Sequence, residues 1–464
     1  MSEVDRPDRW TAPLQPREQE PARPGLFLKR FLDSLAHPLP DAVRRARRVI
    51  ALCHALLSEC GEVSGARLAT DVLMAYQSLD GPALDAFFVL LVDEFSPNPS
   101  EVAVAADAFR AELSQANLIR LQAAVESPRQ ELFRRFNMAP GGTGLLVDLR
   151  RQLLKRLGEH PEWAGIDADL AHLFRSWFNR GFLVMQRIDW RTSALVLERL
   201  IQYEAVHQIQ GWRDLRRRLE VDRRCYAFFS PALPDEPLIF IEVALTRGLP
   251  ARVQPLLDPE APVVDPTEAT YAIFYSITNC QEGLRGVSLG NFLIKQVVED
   301  LGRGFHRLKT FATLSPIPGF GRWLTTGSDF PERKLVSPDL AVVIDRLDRS
   351  DPLVDAHINP ALEAELTRLC AYYLLHAKRG NAPLDPVARF HLANGANLQR
   401  LNWMGDTSAT GLRGSLGLTV NYVYRLADVE RNHEAYAKDY RVVASRELER
   451  LAKQVIDGTG DAQN

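Results

Sequence analysis

Residues 271–301 read YAIFYSITNCQEGLRGVSLGNFLIKQVVEDL, and this stretch decides the fold. Tyr271, Ile273, Tyr275 and Ile277 alternate with smaller or polar residues, and most are aromatic or β-branched, which predicts a strand. Gly283, Gly286 and Gly290 then punctuate a turn. A helix is expected from about Asn291, because Leu289, Leu293 and Val297 recur at helical spacing with Ile294, Val298 and Leu301 beside them. A strand, a glycine turn and a helix together can hold a phosphate: glycine lets the backbone approach an anion, and the free N–H groups of the first helical turn point at it. An ordinary glycine turn between a strand and a helix fits the same residues.

The glycine spacing is neither that of a dinucleotide fold nor that of a Walker A loop, since no Gly-Lys-Ser/Thr follows. The run from Arg285 through Gly286, Val287, Ser288 and Leu289 to Gly290 resembles the Q/R-x-x-G-x-G/A pyrophosphate loop of the GNAT acyltransferase fold, with Ser288 in place of the middle glycine. That resemblance implies coenzyme A at the loop.

Working outward, the chain has 464 residues, enough for two or three domains, and a formal net charge of −3 that gives no sign of a nucleic-acid or membrane partner. No apolar run reaches transmembrane length and no signal peptide is visible. Cys53, Cys60, Cys225, Cys280 and Cys370 lack metal-ligand spacing, and such an odd, scattered set predicts a reducing, cytoplasmic location. Cys280 lies in the glycine loop as a candidate nucleophile or as a plain loop thiol.

Residues 1–24 are rich in Pro, Arg and Glu and are expected to form a flexible tail. Residues 25–180 read helical throughout. Asp41 can cap a first helix whose face runs through Val43, Ala46, Ile50, Cys53 and Leu57, with Arg44, Arg45, Arg47 and Arg48 on a solvated side. Ser127-Pro128-Arg129-Gln130 has the capping-box pattern, and Gly141-Gly142-Thr143-Gly144 reads as a turn because no strand leads into it. His54, His160 and His172 stand alone, so this region is a helical bundle devoted to interaction.

From 181 to 464 strands and helices alternate, which indicates a mixed α/β domain. RCYAFFS and EPLIFIEVALT are strand-like, and a further strand is expected from Lys309 to Leu314. The basic run Arg216, Arg217, Arg218, Arg223 and Arg224 either reaches a nucleotide phosphate or is a solvated helix end, the second being the simpler reading. Asn359-Pro360 starts a helix with Leu362, Leu366, Leu369 and Tyr373 on its apolar face, Leu418 to Leu426 reads as a strand, and one long helix is expected from Ala437 to Ile456.

Two stretches hold candidate chemistry. In Leu314-Ser315-Pro316-Ile317-Pro318, Ser315 follows a strand and precedes prolines that stiffen the backbone, so its hydroxyl either has a fixed direction for chemistry or starts a turn. In Arg389-Phe390-His391-Leu392-Ala393-Asn394-Gly395, His391 sits between apolar neighbours as a core histidine or a catalytic one.

The glycine loop, LSPIPGF, FHLANGANLQRLNWMGD, GLRGSLGLTVNYVYRL and, in the helical half, PEWAGIDADLAHLFRSWFNRGFLVMQRIDW together resemble the malonyl-CoA decarboxylase family over nearly the whole chain after the tail. The resemblance implies a helical N-terminal domain used in oligomerisation, with a tetramer as the precedent, and a GNAT-like catalytic domain. It matches Ser315 and His391 to the family's catalytic serine and histidine. Arg285, Gly286, Val287, Ser288, Leu289, Gly290 and Asn291 match its coenzyme A loop, and Tyr424 matches a tyrosine beside the reacting group. Animal members carry Gln and Glu where this chain has Arg285 and Ser288, so no carboxylate role carries over to position 288.

The residue inventory suits that chemistry. Loss of CO2 from malonyl-CoA leaves an electron pair that the thioester accepts as an enolate, so neither a metal nor another cofactor is called for. The protein must hold the phosphates, donate hydrogen bonds to the enolate oxygen and deliver a proton to carbon. Two rivals remain at this level. A GNAT-fold acyltransferase would transfer an acyl group to an amine without releasing CO2, and a non-catalytic acyl-CoA sensor would bind malonyl-CoA without turnover.

Overall fold

The computed structural model of the chain describes residues 40–58, 61–287, 293–326, 337, 340–343 and 360–461. By internal packing it divides into two compact units, one up to Ser96 and one from Pro97 onward.

The first unit contains α1 (Asp41–Ser58), α2 (Glu62–Gln77) and α3 (Gly81–Phe95). On α1 the buried face runs through Ala46, Val49, Ile50, Cys53 and Leu56, while Arg44, Arg47 and Arg48 are exposed, as a solvated side requires. Asp41 is the first helical residue rather than the cap, and its carboxylate pairs with Arg44 and Arg45 instead.

The second unit opens with α4 (Pro99–Ala111), α5 (Gln115–Val125), α6 (Pro128–Phe136), α7 (Gly142–Arg156) and α8 (Ala164–Trp177). Ser127 caps α6 by accepting from the Arg129 amide at 3.2 Å, but Gln130 does not close a capping box: its amide donates to Asp169 at 2.9 Å. Gly141 takes φ +79° just before α7, so the turn ends there, while Gly142, Thr143 and Gly144 already form the first turn of the helix.

The chain then builds one mixed sheet. Its strands are β1 (Val184–Ile188), β2 (Arg223–Phe229), β3 (Ile239–Thr246), β4 (Tyr271–Asn279), β5 (Thr310–Thr313) and β6 (Ser315–Pro316). A small hairpin, β7 (Lys378–Arg379) with β8 (Ala382–Pro383), stands apart, and β9 (Asn397–Asn402) and β10 (Thr419–Tyr424) complete the sheet. The order is β1-β2-β3-β4-β5-β10-β6, with β9 also on β10. The interleaved helices begin with α9 (Ala194–Tyr203), α10 (Trp212–Arg218), α11 (Gln254–Leu257), α12 (Leu293–Gly304) and α13 (Phe320–Thr326). They continue with α14 (Pro360–His376), α15 (Pro386–Ala393), α16 (Ala409–Ser415), α17 (Leu426–Asp439) and α18 (Arg446–Asp461). Helices followed by an antiparallel meander that passes into a parallel β4–α12–β5 unit are the helical-plus-GNAT-like architecture expected.

Two features of β4 make room for a site. Both its faces are covered through most of its length, and from Tyr271 to Tyr275 its residues are all apolar or aromatic. Its parallel pairing with β5 ends at Phe274 opposite Thr313, although β4 continues to Asn279. The two strands therefore part, and a cleft opens there. Opposite β3 the register shifts so that Ser276 faces Glu242 and Phe274 faces Val243, leaving Tyr275 as the extra residue of a bulge.

Two expectations change. The single C-terminal helix is two, because Tyr440 takes φ +51° after α17 and the next residues run extended. Val443 accepts from the Leu398 amide at 2.9 Å and Ser445 donates to the Leu398 carbonyl at 2.9 Å, so this segment is tied beside β9. The basic run is neither a phosphate site nor a solvated end. Arg217 pairs with Asp222 at 2.7 Å, Arg218 with Glu242 at 2.7 Å and with Asp214 at 3.0 Å, and Arg223 with Asp222 at 2.9 Å, all buried. Only Arg216 of the five is fully exposed. Carboxylates close in space, from other turns and from β3, make burial of these cations tolerable.

Candidate active site

The cleft that opens where β5 leaves β4, with β4 on one side and β6 and α15 on the other, has a volume of about 350 Å³. Val287 and Leu293 stand at its glycine-loop end; Phe274, Tyr275 and Ile277 form a wall; Ser315 and His391 line it too. The loop is held from an unexpected direction. The Arg150 guanidinium, on α7, donates to the carbonyls of Gly283 at 2.7 Å and Arg285 at 2.9 Å and is itself steadied by Asp167 at 2.8 Å. Gly283 packs so closely on α7 that a Cβ there would fall 1.9 Å from the Val147 carbonyl oxygen. Gly286 has φ +78°, which a side chain would strain. Arg285 and Gly286 are exposed and Val287 is buried. Ser288, Leu289, Gly290 and Asn291 lie outside the described residues.

Ser315 and His391 are 76 positions apart and meet: the Ser315 hydroxyl is 3.0 Å from His391 Nε2. Each is delivered by its own element. Ser315 begins β6, whose pairing with β10 places it opposite Val420. His391 lies in the last turn of α15, a helix started by proline at its first position and capped by Asp385, which accepts from the Ala388 amide at 2.8 Å. The chain leaves that helix through Asn394 and Gly395, the latter at φ +80° and too close to the Val429 carbonyl for a Cβ.

Tyr424 completes the pair from behind. Its hydroxyl is 2.7 Å from His391 Nδ1, on the far side of the ring, and it is not among the residues that line the cleft. Tyr424 thus touches the histidine rather than the cleft. Burial pushes its phenol well above the ordinary value, so it keeps its proton. Because the Ser315 hydroxyl donates to Thr313, Nε2 is the donor to Ser315 and Tyr424 donates to the other ring nitrogen, Nδ1. The imidazole proton thus sits on Nε2, facing Ser315. Burial holds the His391 pKa down to about 3, so the ring is neutral near pH 7. Tyr422 stacks on it at 4.5 Å between ring centroids.

Cys280 does not join this site. It is buried in the cluster with Phe229, Phe240 and Leu200, and burial drives its thiol pKa well above the ordinary value, so it is a packing residue. His54, His160 and His172 lie outside the cleft as well: His54 bonds Glu94, His160 stacks on Trp163, and His172 is exposed. Sequence reasoning missed Arg150, Thr313 and Tyr422. Arg150 lies 133 positions from the carbonyl it holds, and no local pattern marks it. Thr313 is visible only as the end of a strand.

Fold and site together define a GNAT-like domain that carries a buried serine–histidine pair at the end of a cleft. The chain belongs to the malonyl-CoA decarboxylase family: the family's C-terminal domain matches residues 181–461 and its N-terminal domain residues 95–178. The mitochondrial malonyl-CoA decarboxylase of Anser anser anser is 38% identical over 347 residues, 69% of each chain. The crystal structure of malonyl-CoA decarboxylase from Rhodopseudomonas palustris is similar with a TM-score of 0.82 at 49% identity, covering 87% of this chain and 99% of that one. That from Agrobacterium vitis has a TM-score of 0.79 at 46% identity, with the same coverage.

Proposed function

We propose that this chain converts malonyl-CoA to acetyl-CoA and CO2, with Ser315 and His391 as its catalytic pair. The observation that carries the assignment is the 3.0 Å contact between Ser315 Oγ and His391 Nε2 in the cleft that the glycine loop also borders. The loop of Arg285 to Asn291 receives the pyrophosphate, with the exposed Arg285 guanidinium beside it. Past the point where β5 leaves it, β4 offers an edge along which an extended thioester arm can lie.

The reaction moves one negative charge. The C–C bond to the carboxylate breaks, CO2 departs, and its electron pair passes through the α-carbon to the thioester oxygen as an enolate. No cofactor beyond the coenzyme A of the substrate enters. A neutral histidine is what the first step needs, since it leaves the carboxylate free of a tight ion pair. The same buried charge then favours protonation of the ring, because an anion within a few ångströms in a desolvated cleft stabilises the cation. His391, charged in this way, passes a proton from Nε2 to Ser315 while the Ser315 hydroxyl protonates the α-carbon. One proton is consumed per turnover, which balances malonyl-CoA against acetyl-CoA and CO2.

The test is CO2 release from malonyl-CoA by the purified chain, with and without a chelator. Release unaffected by chelation is expected. Binding without turnover would replace this reading by that of a sensor, and acyl transfer to an amine without CO2 by that of an acyltransferase.

A further inference from the structure

We propose that Thr313 is a positioning residue of the catalytic pair, setting the direction of the Ser315 hydroxyl and the seat of the His391 ring. The inference rests on the Ser315–His391 reading and adds a residue to it.

Thr313 is the last residue of β5 and is fully buried. Its hydroxyl oxygen accepts from the Ser315 hydroxyl at 2.8 Å, so Ser315 has two partners, Thr313 on one side and His391 Nε2 on the other. The same oxygen accepts from the Tyr422 amide at 3.2 Å. That second bond stands where the sheet ladder is interrupted: β10 pairs with β5 at Val423 opposite Ala312 and with β6 at Val420 opposite Ser315. Between those pairs the Asn421 side-chain amide donates to the Thr313 carbonyl at 2.7 Å. Side chains thus bridge the corner through which the chain turns Ser315 into the cleft.

Two consequences follow from these contacts. The hydrogen bonds run in one direction, from Tyr424 to His391, from His391 to Ser315 and from Ser315 to Thr313. With one lone pair of Thr313 taken by the Tyr422 amide and another by Ser315, the resting serine proton points away from Nε2. The ring can then keep its own proton on Nε2, on the side from which Ser315 must be reprotonated. Tyr422, whose amide Thr313 holds, is also the residue whose ring stacks on His391. Thr313 therefore steadies one member of the pair directly and the other through its stacking neighbour. Being β-branched, it holds its hydroxyl in a narrow range of χ1.

Thr313→Val keeps the shape and removes the acceptor; Thr313→Ser keeps the acceptor. Turnover, KM and affinity for acetyl-CoA are measured for both and for Ser315→Ala, each per folded protein as counted by circular dichroism and thermal melting. The expected result is a kcat loss of ~10- to 100-fold in Thr313→Val, by analogy with the loss when the hydrogen-bond partner behind a metal ligand is removed. KM and acetyl-CoA affinity should stay near those of the natural chain, and Thr313→Ser should recover most of the loss. A kcat in Thr313→Val equal to that of the natural chain overturns the proposal. So does an equal loss in Thr313→Ser, or a loss of affinity as large as that of kcat, since either marks a packing role. Should the valine protein not fold, Thr313→Ala is read by the same criteria, and failure of that protein to fold as well also counts as a packing role. Ser315→Ala separates the two readings. If it keeps full turnover the catalytic pair itself is wrong; if it loses turnover and Thr313→Val does not, only Thr313 is.

Discussion

Charging His391 places a cation in a buried position with little solvation, and that is why its pKa falls to about 3 from 6.5. One consequence is for stability. The unfolded chain takes up this proton as pH drops below 6.5 while the folded chain does not until about 3. The folded form is thus favoured above 6.5 and loses that advantage as pH falls through the window. Denaturant unfolding at pH 7 and pH 5 should show a greater loss for the natural chain than for His391→Gln. Equal losses would mean that the ring is not held neutral. The other consequence is for turnover. His391→Ala should lower kcat ~100- to 10,000-fold, the range for an acid–base group, while affinity for acetyl-CoA changes little. Ser315→Ala should behave in the same way, and the double variant should be little worse than the poorer single one if the two act together. Full decarboxylation by a folded His391→Ala protein would end this mechanism.

Among elements, the β4–α12 connection carries the substrate's phosphates in our reading, and its shape depends on parts of the chain far from it. Gly286 at φ +78° cannot be replaced by a β-branched residue without strain. Gly286→Val is expected to weaken coenzyme A binding, read by calorimetry, with the helices intact by circular dichroism; unchanged affinity would take the loop out of the site. Arg150 fixes the same loop through two carbonyls at 2.7 and 2.9 Å. Truncating it to alanine removes both bonds and leaves the buried Gly283 carbonyl unpaired, a cost of about 1–3 kcal/mol, while the part-buried Arg285 carbonyl can turn to water. We expect Arg150→Ala to weaken coenzyme A binding about tenfold or more with a smaller change in kcat, one decade corresponding to about 1.4 kcal/mol. A fall in kcat at unchanged affinity would contradict the assigned role.

At the scale of the whole molecule, two helices stand out because none of their residues is fully buried. α4 and α5 have no buried residue, and Val104, Leu113 and Ile119 on this hairpin are 71%, 79% and 56% exposed. Apolar side chains displayed together on a helical hairpin are characteristic of a surface that another chain covers. We propose that this hairpin contributes to a homo-oligomer interface, with a tetramer as the expectation from the family. Val104→Glu together with Ile119→Glu should shift the sedimenting species toward the monomer, and a natural chain that sediments as a monomer at working concentration would refute the idea. Among the described residues no helix is long and apolar enough to cross a membrane.

Period, breaker and turn chemistry were enough to reveal the strand at 271–279, the glycine turn, the helix behind it and the switch from helices to a mixed sheet, because each is set by residues within a few positions of one another. Ser315 and His391 stood out as candidates at two places where local structure ends, and the resemblance to the family, not the motifs themselves, paired them. That they touch was not legible, because β6 and α15 meet only after β10 has been laid between β5 and β6. The neutral state of His391 was equally hidden: pKa depends on what surrounds a ring in space, and the neighbours in its own helix say little about that. The buried arginines at 217, 218 and 223 looked like a solvated run for the same reason, their carboxylates being supplied in part by other turns and another strand. Spacing along the chain fixes elements and their ends. Which side chains share a buried site, and with what charge, is settled by tertiary packing, which sets both distance and dielectric.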